Sequence, residues 1–132
     1  MISESDPNVA ELLKLTRRLL QSITDGDWQT YSSLCDPGLS CFEPESRGEL
    51  VEGMAFHQYY FDRGGVKGPS NTTICAPHVR VLGDTAVVCY VRLTQRLDDH
   101  GSPVTSRSEE TRVWQRRDGV WRHVHFHRSV SP

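Results

Sequence analysis

A chain of 132 residues with a formal charge of −2 and a pI near 6.3 is long enough for one compact domain with its own core. Its near-balanced charge gives no pull toward nucleic acid or anionic lipid, and no run of about 18 apolar residues is present to span a membrane. The N-terminus, MISESDPNVAELLKL, lacks the basic-then-apolar layout of a signal peptide. The four cysteines (Cys35, Cys41, Cys75, Cys89) show no CxxC spacing, so they read as buried free thiols of a cytosolic protein rather than a disulfide framework.

The first element is a helix over Asn8 to Ile23, whose Val9, Leu12, Leu13, Thr16, Leu19, Leu20 and Ile23 form one stripe. Asp6 suits its cap, Pro7 its first turn and Gly26 its end. Asp27 then caps a short helix, Trp28 to Leu34, which Asp36-Pro37-Gly38 terminates. Leu39–Phe42 and Leu50-Val51 read as short strands, and Gly53–Phe61 as an aromatic-rich helix. Residues 62–71, DRGGVKGPSN, form a glycine-rich loop. Strand signals follow at Thr72–Leu82, Thr85–Leu97, Thr105–Arg116 and Val120–Arg128. Helices first and a long antiparallel meander after them predict an α+β fold: one curved antiparallel sheet around the long N-terminal helix, a cone with a cavity.

The closing hairpin carries the functional clue. A three-residue loop, Arg117-Asp118-Gly119 with Gly119 left-handed, sets Trp114 opposite Arg122 and Arg112 opposite Val124. One face then holds Trp114, Val124 and Phe126 together with Arg112 and Arg128. A two-residue Asp-Gly loop would instead pair Arg112 with His125 and turn Arg128 to the other face; the longer loop is preferred because it gathers the apolar residues. Arg92 likewise shares a strand face with Val88 and Tyr90. A buried guanidinium costs several kcal/mol unless paired, so the choice lies between structural ion pairs, with Glu110 or Glu45, and a cavity that takes an anion. Few acids fall in matching phase, which favours the anion, and a guanidinium recognises carboxylate or phosphate in a planar, bidentate way.

Other residues invite bolder readings. His123, His125 and His127 alternate in a spacing a metal site could use, but no partner Asp, Glu or Cys is implied and that face points away from the cavity. No metal and no cofactor is therefore expected. His57, among Phe56, Tyr60 and Phe61, can hydrogen-bond a cavity ligand or simply pack. Arginines cannot act as bases, and Glu110, the one inward acid, should have its pKa lowered beside them. Anion binding fits better than proton transfer, and no catalytic residue is assigned.

Asp36-Pro37-Gly38-Leu39, Phe42-Glu43-Pro44-Glu45, Leu50-Val51-Glu52-Gly53-Met54, Phe56-His57, Tyr60-Phe61, Ser108 to Trp114, Arg116-Arg117-Asp118-Gly119 and Val124 to Arg128 together resemble the association (hub) domain of calcium/calmodulin-dependent protein kinase II. The resemblance runs from about Glu11 to Pro132, so residues 1–132 are expected to be a single hub domain. It implies the cone-shaped fold of nuclear transport factor 2 and ketosteroid isomerase, and a ring-forming oligomerisation scaffold, commonly of twelve or fourteen subunits, that holds kinase domains together in cis or in trans. It implies no catalytic activity. It also implies a pocket for small carboxylates such as 4-hydroxybutyrate analogues, lined by Arg92, Arg112, Arg128 and His57; the reading of the residues themselves adds Tyr60 and Glu110 to this ligand site. One departure stands out: where the family has a longer loop with a tryptophan near the pocket mouth, this chain has the tryptophan-free Asp62–Asn71. No kinase or regulatory segment precedes Met1 in this sequence, which suits either a piece of a kinase or a stand-alone hub-like protein. The rival expectation is an isomerase- or dehydratase-like enzyme of the same fold acting on a small acid or ketone, with Glu110 or His57 as base.

Overall fold

The computed structural model describes residues 6–130, so the outermost ends of the expected 1–132 domain lie outside the described residues. Helix α1 (Pro7–Asp25) begins where Asp6 accepts the Asn8 amide at 2.8 Å and ends where Gly26 turns left-handed (φ 67°). Its apolar stripe buries Val9, Leu12, Leu19 and Leu20. Gly26 has a second constraint: a Cβ there would stand 2.5 Å from the backbone nitrogen of Gly65. The glycine-rich loop thus docks directly on the end of α1, with the Val66 amide donating to the Thr24 carbonyl at 2.8 Å. Helix α2 (Trp28–Leu34) is capped by Asp27 as expected, its side chain accepting the Thr30 amide at 3.1 Å.

Strand β1 (Cys35–Phe42) starts earlier than the expected Leu39, because Asp36-Pro37-Gly38 forms an irregular stretch within the strand rather than a turn before it. A single 3-10 turn (Pro44–Ser46), β2 (Val51–Glu52) and α3 (Ala55–Phe61) follow. Strands β3 (Ser70–Leu82), β4 (Thr85–Leu97), β5 (Pro103–Arg117) and β6 (Val120–Val130) complete a six-stranded sheet in the order β2-β1-β6-β5-β4-β3. The meander β3–β6 is antiparallel as expected; β1, however, runs parallel to β6, so the sheet is mixed at that side. Fold class is α+β. The core lies between the inner sheet face and the helices, where Leu12, Leu19, Leu39, Ala86, Val88 and Trp114 have no exposed surface.

The β5–β6 hairpin corrects the expected loop. Arg117 pairs with Val120, so the loop is the two residues Asp118 and Gly119, both with positive φ (52° and 76°), the mirror-image turn that suits twisted strands. Gln115 then faces Arg122 and Trp114 faces His123. Next the register slips: Val113 pairs with His125, leaving Val124 as an extra residue, a β-bulge. Beyond it Arg112 faces Phe126 and Glu110 faces Arg128. The bulge brings Phe126 and Arg128 to the cavity side, the work the longer loop was expected to do.

That geometry has a direct consequence. Deleting Val124 closes the bulge without turning any neighbour over, so the folded state is expected to lose only about 1–2 kcal/mol. Deleting His127 must turn out either Phe126 or Arg128 and is expected to cost about 3–5 kcal/mol or more. Urea midpoints for the two deletions should differ in that order, and equal losses would contradict the bulge as the device that sets the faces.

Candidate functional site

Three neighbouring strands bring their arginines to one cavity. Arg92 (β4), Arg112 (β5) and Arg128 (β6) line a volume of about 200 Å³ together with Glu43, Glu45, His57, Tyr31 and Phe126, and Tyr60 stands at its half-open rim. The expected set Arg92, Arg112, Arg128, His57 and Tyr60 is thus found in one place. Glu110 is next to them, but inside the wall. Its carboxylate is the hub of the polar cluster: Oε1 accepts from the Tyr90 hydroxyl (2.6 Å) and Arg112 Nη2 (2.8 Å), and Oε2 from the Ser108 hydroxyl (2.9 Å). Arg92 Nε stands 2.7 Å from Oε2 as an ion pair, although its N–H is not aimed along the contact.

The three arginines are not equivalent. Arg112 is 1% exposed; its Nε donates to Tyr90 Oη at 2.8 Å and its plane lies 4.6 Å above Phe126. It is a core residue with a charge. Arg128 reaches across to the 3-10 turn, where its Nη2 meets both oxygens of Glu45 and lies 3.5 Å from Glu43 Oε1. Arg92 differs: apart from the Nε contact to Glu110, its terminal Nη1 and Nη2 have no hydrogen-bond partner among the described residues. The expectation that few acids would be in phase therefore fails. Glu110 and Glu45, the two acids named for structural pairing, both hold arginines, and Glu43 was overlooked. Alternation along β1 carried the signal, since Leu39 and Cys41 point inward and Glu43 continues their phase.

Electrostatics follow from this wiring. Burial pushes the Glu110 carboxyl up, but Arg112 and Arg92 outweigh it and hold the group at about 2. Burial lowers His57 to about 4, and Arg112 adds to the effect. Burial raises Glu43 to about 7, with Glu45 adding to it. His123 is the surprise: it lies before the bulge, so it faces inward, completely buried, 3.5 Å from Cys35 Sγ and 3.4 Å from Arg112 Nη1. Burial and then Arg112 keep it neutral. Only His125 and His127 point away from the cavity, His125 bonded to Ser40 Oγ at 2.7 Å and His127 exposed.

Acid should therefore act on two buried groups in turn. His123 is depressed when folded, so below about 6.5 the unfolded chain takes up a proton that the folded chain refuses, and this group's contribution to stability starts to fall. Glu110 is depressed too; its contribution is complete above about 4.3 and is lost as the pH falls through about 2. Between pH 7 and 5 the raised Glu43 carboxyl works the other way, taking up a proton more readily folded than unfolded, so the test is a difference. Urea midpoints should fall less, or rise more, in His123→Gln than in wild type over that range, and both should fall below pH 4. The same pH dependence from 7 to 5 in wild type and His123→Gln would contradict the placement of His123.

Chemically, the cluster is better built for holding charge than for moving protons. Glu110 at about 2 is a poor base, and Arg112 at its side cannot titrate. Glu43 has a usable pKa, but Arg128 faces its Oε1, and Cys41 and His57 face its Oε2. Cys41, His57 and Glu43 even follow the order of a nucleophilic triad. Yet Cys41 has no exposed surface and burial drives its thiol up to about 12, so no thiolate is offered for attack.

Comparison with known proteins places this geometry. The family described as calcium/calmodulin dependent protein kinase II association domain matches residues 8–132. The delta subunit of calcium/calmodulin-dependent protein kinase type II from Oryctolagus cuniculus is 53% identical over 125 residues, which cover 92% of this chain. The match spans 24% of that longer protein. Among solved structures, the association domain of the C. elegans kinase superposes with a TM-score of 0.88 at 45% identity, covering 92% of this chain and 95% of that one. The hub homology domain from Chlamydomonas reinhardtii gives 0.87 at 47%, covering 95% and 99%. The fold extends further: a nuclear transport factor 2-like protein of Salmonella enterica, 24% identical, superposes at 0.75 over 93% of this chain and 90% of its own.

Proposed function

Because the chain belongs to the calcium/calmodulin-dependent protein kinase II association-domain family, a non-catalytic oligomerisation module, we propose that it forms a closed ring of about twelve to fourteen copies that can hold kinase domains in cis or in trans. The observation that carries this reading is the match over residues 8–132, which includes the sheet, its edges and the helices α1 to α3. The sheet supports it physically. Val87, Cys89, Val91 and Leu93 stand half-exposed on its outer side, and β2 and β3 are edge strands without a neighbour on one side. Four free cysteines suit a cytoplasmic setting. Light scattering of the purified chain tests the ring: a mass of about a dozen subunits is expected, and a monomer at micromolar concentration would overturn it.

The cavity supports a finer reading. It serves as a receptor for one small carboxylate, of the size of 4-hydroxybutyrate, that sits against Arg92 with His57 and Tyr60 nearby. Arg92 is the residue on which this rests, because it lines the cavity and neither of its Nη groups is bonded to protein among the described residues. A volume of about 200 Å³ falls below that of drug-sized pockets, which restricts the guest to a few heavy atoms. The rival, an enzyme acting on a small acid or ketone, is not favoured: the family is non-catalytic, and its expected bases are a carboxylate held at about 2 and an imidazole held at about 4.

A further inference from the structure

Cys41 meets Glu43 and His57, two residues of the cavity wall, in a way the arginine cluster does not explain. Cys41 and His57 are buried, at 0% and 5% exposure, and Glu43 is mostly covered. Cys41 Sγ lies 3.6 Å from Glu43 Oε2 and 3.7 Å from His57 Nε2, while His57 Nδ1 lies 3.5 Å from the same Oε2. One donor atom from each residue lies within 4.8 Å of the others. An imidazole to carboxylate hydrogen bond is about 2.8 Å, so this nitrogen and oxygen are held apart. One ion takes only one of the two ring nitrogens, so two of these three spacings at a time match a different geometry, and the third donor pair stays within 4.8 Å. Zinc–sulfur and zinc–nitrogen bonds of about 2.3 and 2.0 Å at a tetrahedral angle put the two donors about 3.5 Å apart.

We propose that Cys41, Glu43 and His57 form a binding site for a divalent transition metal of the zinc class, with its fourth position open to the cavity. The donor set, one thiolate, one imidazole and one carboxylate, suits zinc or cobalt and not magnesium or calcium. Two of the three partners are already placed, and the Cys41 thiol must lose its proton as the ion binds. His57 is neutral, so a lone pair is available on a ring nitrogen. Glu43 keeps Oε1 against Arg128 at 3.5 Å, which fixes the side chain with Oε2 turned to the site. The thiol proton leaves to solvent as the sulfur–metal bond forms, and the ion's charge is then balanced by one thiolate and one carboxylate. Two guanidinium charges oppose the ion, Arg128 beside Glu43 and Arg112 acting on His57, and Glu45 and Glu110 compensate them. Cys41, Glu43 and His57 lie on β1, the turn after it and α3, so sequence spacing alone gives no metal motif.

Cobalt titration of the metal-stripped full chain tests the site, with folding followed by circular dichroism. About one Co²⁺ per chain is expected, with a thiolate-to-cobalt charge-transfer band and the strong visible bands of four-coordination, displaced by Zn²⁺. Cys41→Ser should remove the charge-transfer band and weaken binding more than about tenfold, whereas Cys89→Ser should leave both unchanged. If Cys41→Ser does not fold, Glu43→Gln serves instead: the band should remain and the affinity fall by the same order. No thiolate band with the wild-type chain, a band that survives Cys41→Ser, or an affinity unchanged in Glu43→Gln would each overturn the proposal.

Discussion

Replacing Arg112 with alanine is expected to cost about 3–5 kcal/mol of stability, the range for removing one partner of a buried ion pair. The reason is not the lost attraction alone. Glu110 is 2% exposed, and without Arg112 its charge keeps only the off-axis Arg92 contact and two hydroxyl donors. Phe126 and Tyr90 also lose the group that packs between them. The loss should be non-additive: adding Glu110→Gln to Arg112→Ala removes the stranded charge, so the double variant should unfold more easily than wild type but less so than the two single losses summed. Arg128→Ala is the control, because that side chain is 16% exposed and its partners reach solvent; a smaller loss is expected. Guanidinium unfolding of the four variants at one protein concentration provides the comparison, since assembly makes stability concentration-dependent. A loss below about 1 kcal/mol for Arg112→Ala would show that the Glu110 cluster does not hold the sheet together as described.

Arg92→Ala should separate ligand binding from stability. Its removal leaves Glu110 with Arg112, Tyr90 and Ser108, so the fold keeps its central pairing. A guest carboxylate, by contrast, loses the cavity arginine whose Nη groups are both unbonded among the described residues. A charge-assisted contact contributes about 1.5–3 kcal/mol, so 4-hydroxybutyrate affinity measured by calorimetry should fall roughly 10- to 100-fold. Tyr60→Phe should change affinity by less than about threefold, because its ring stays at the rim and only the hydroxyl is lost. Unchanged affinity in Arg92→Ala would sink the carboxylate reading while leaving the scaffold reading untouched.

How much of this was legible in the sequence depends on range along the chain. Helix caps and strand limits rest on neighbours, and Asp6, Gly26 and Asp27 behave as their types demand. Arg92, Arg112 and Arg128 converge because alternation sets faces, and faces depend only on whether the register is odd or even. The expected register and the true one beyond the bulge differ by two residues, so Phe126 and Arg128 face as expected while their partners differ. His123 lies before the bulge, where the register differs by one, and so it turned inward. A bulge at Val124 has no composition signal comparable to the Asp118-Gly119 turn. Glu45 was named as a possible partner and Glu43 was overlooked for a different reason: alternation sets the face of Glu43, but β1 joins the sheet parallel to β6, 85 residues away in the Ser40–His125 contact, and no local pattern tells which arginine these acids meet.

The central claim is that this chain is an assembly module whose polar cavity sits inside a self-associating cone. Native mass spectrometry of the purified chain addresses it most directly, because it reports association and subunit number in one spectrum. A closed homo-oligomer of about twelve to fourteen copies, unchanged on dilution through the micromolar range, is the predicted result. A spectrum holding only the 15.0 kDa monomer, or an open series with no preferred number, would contradict it.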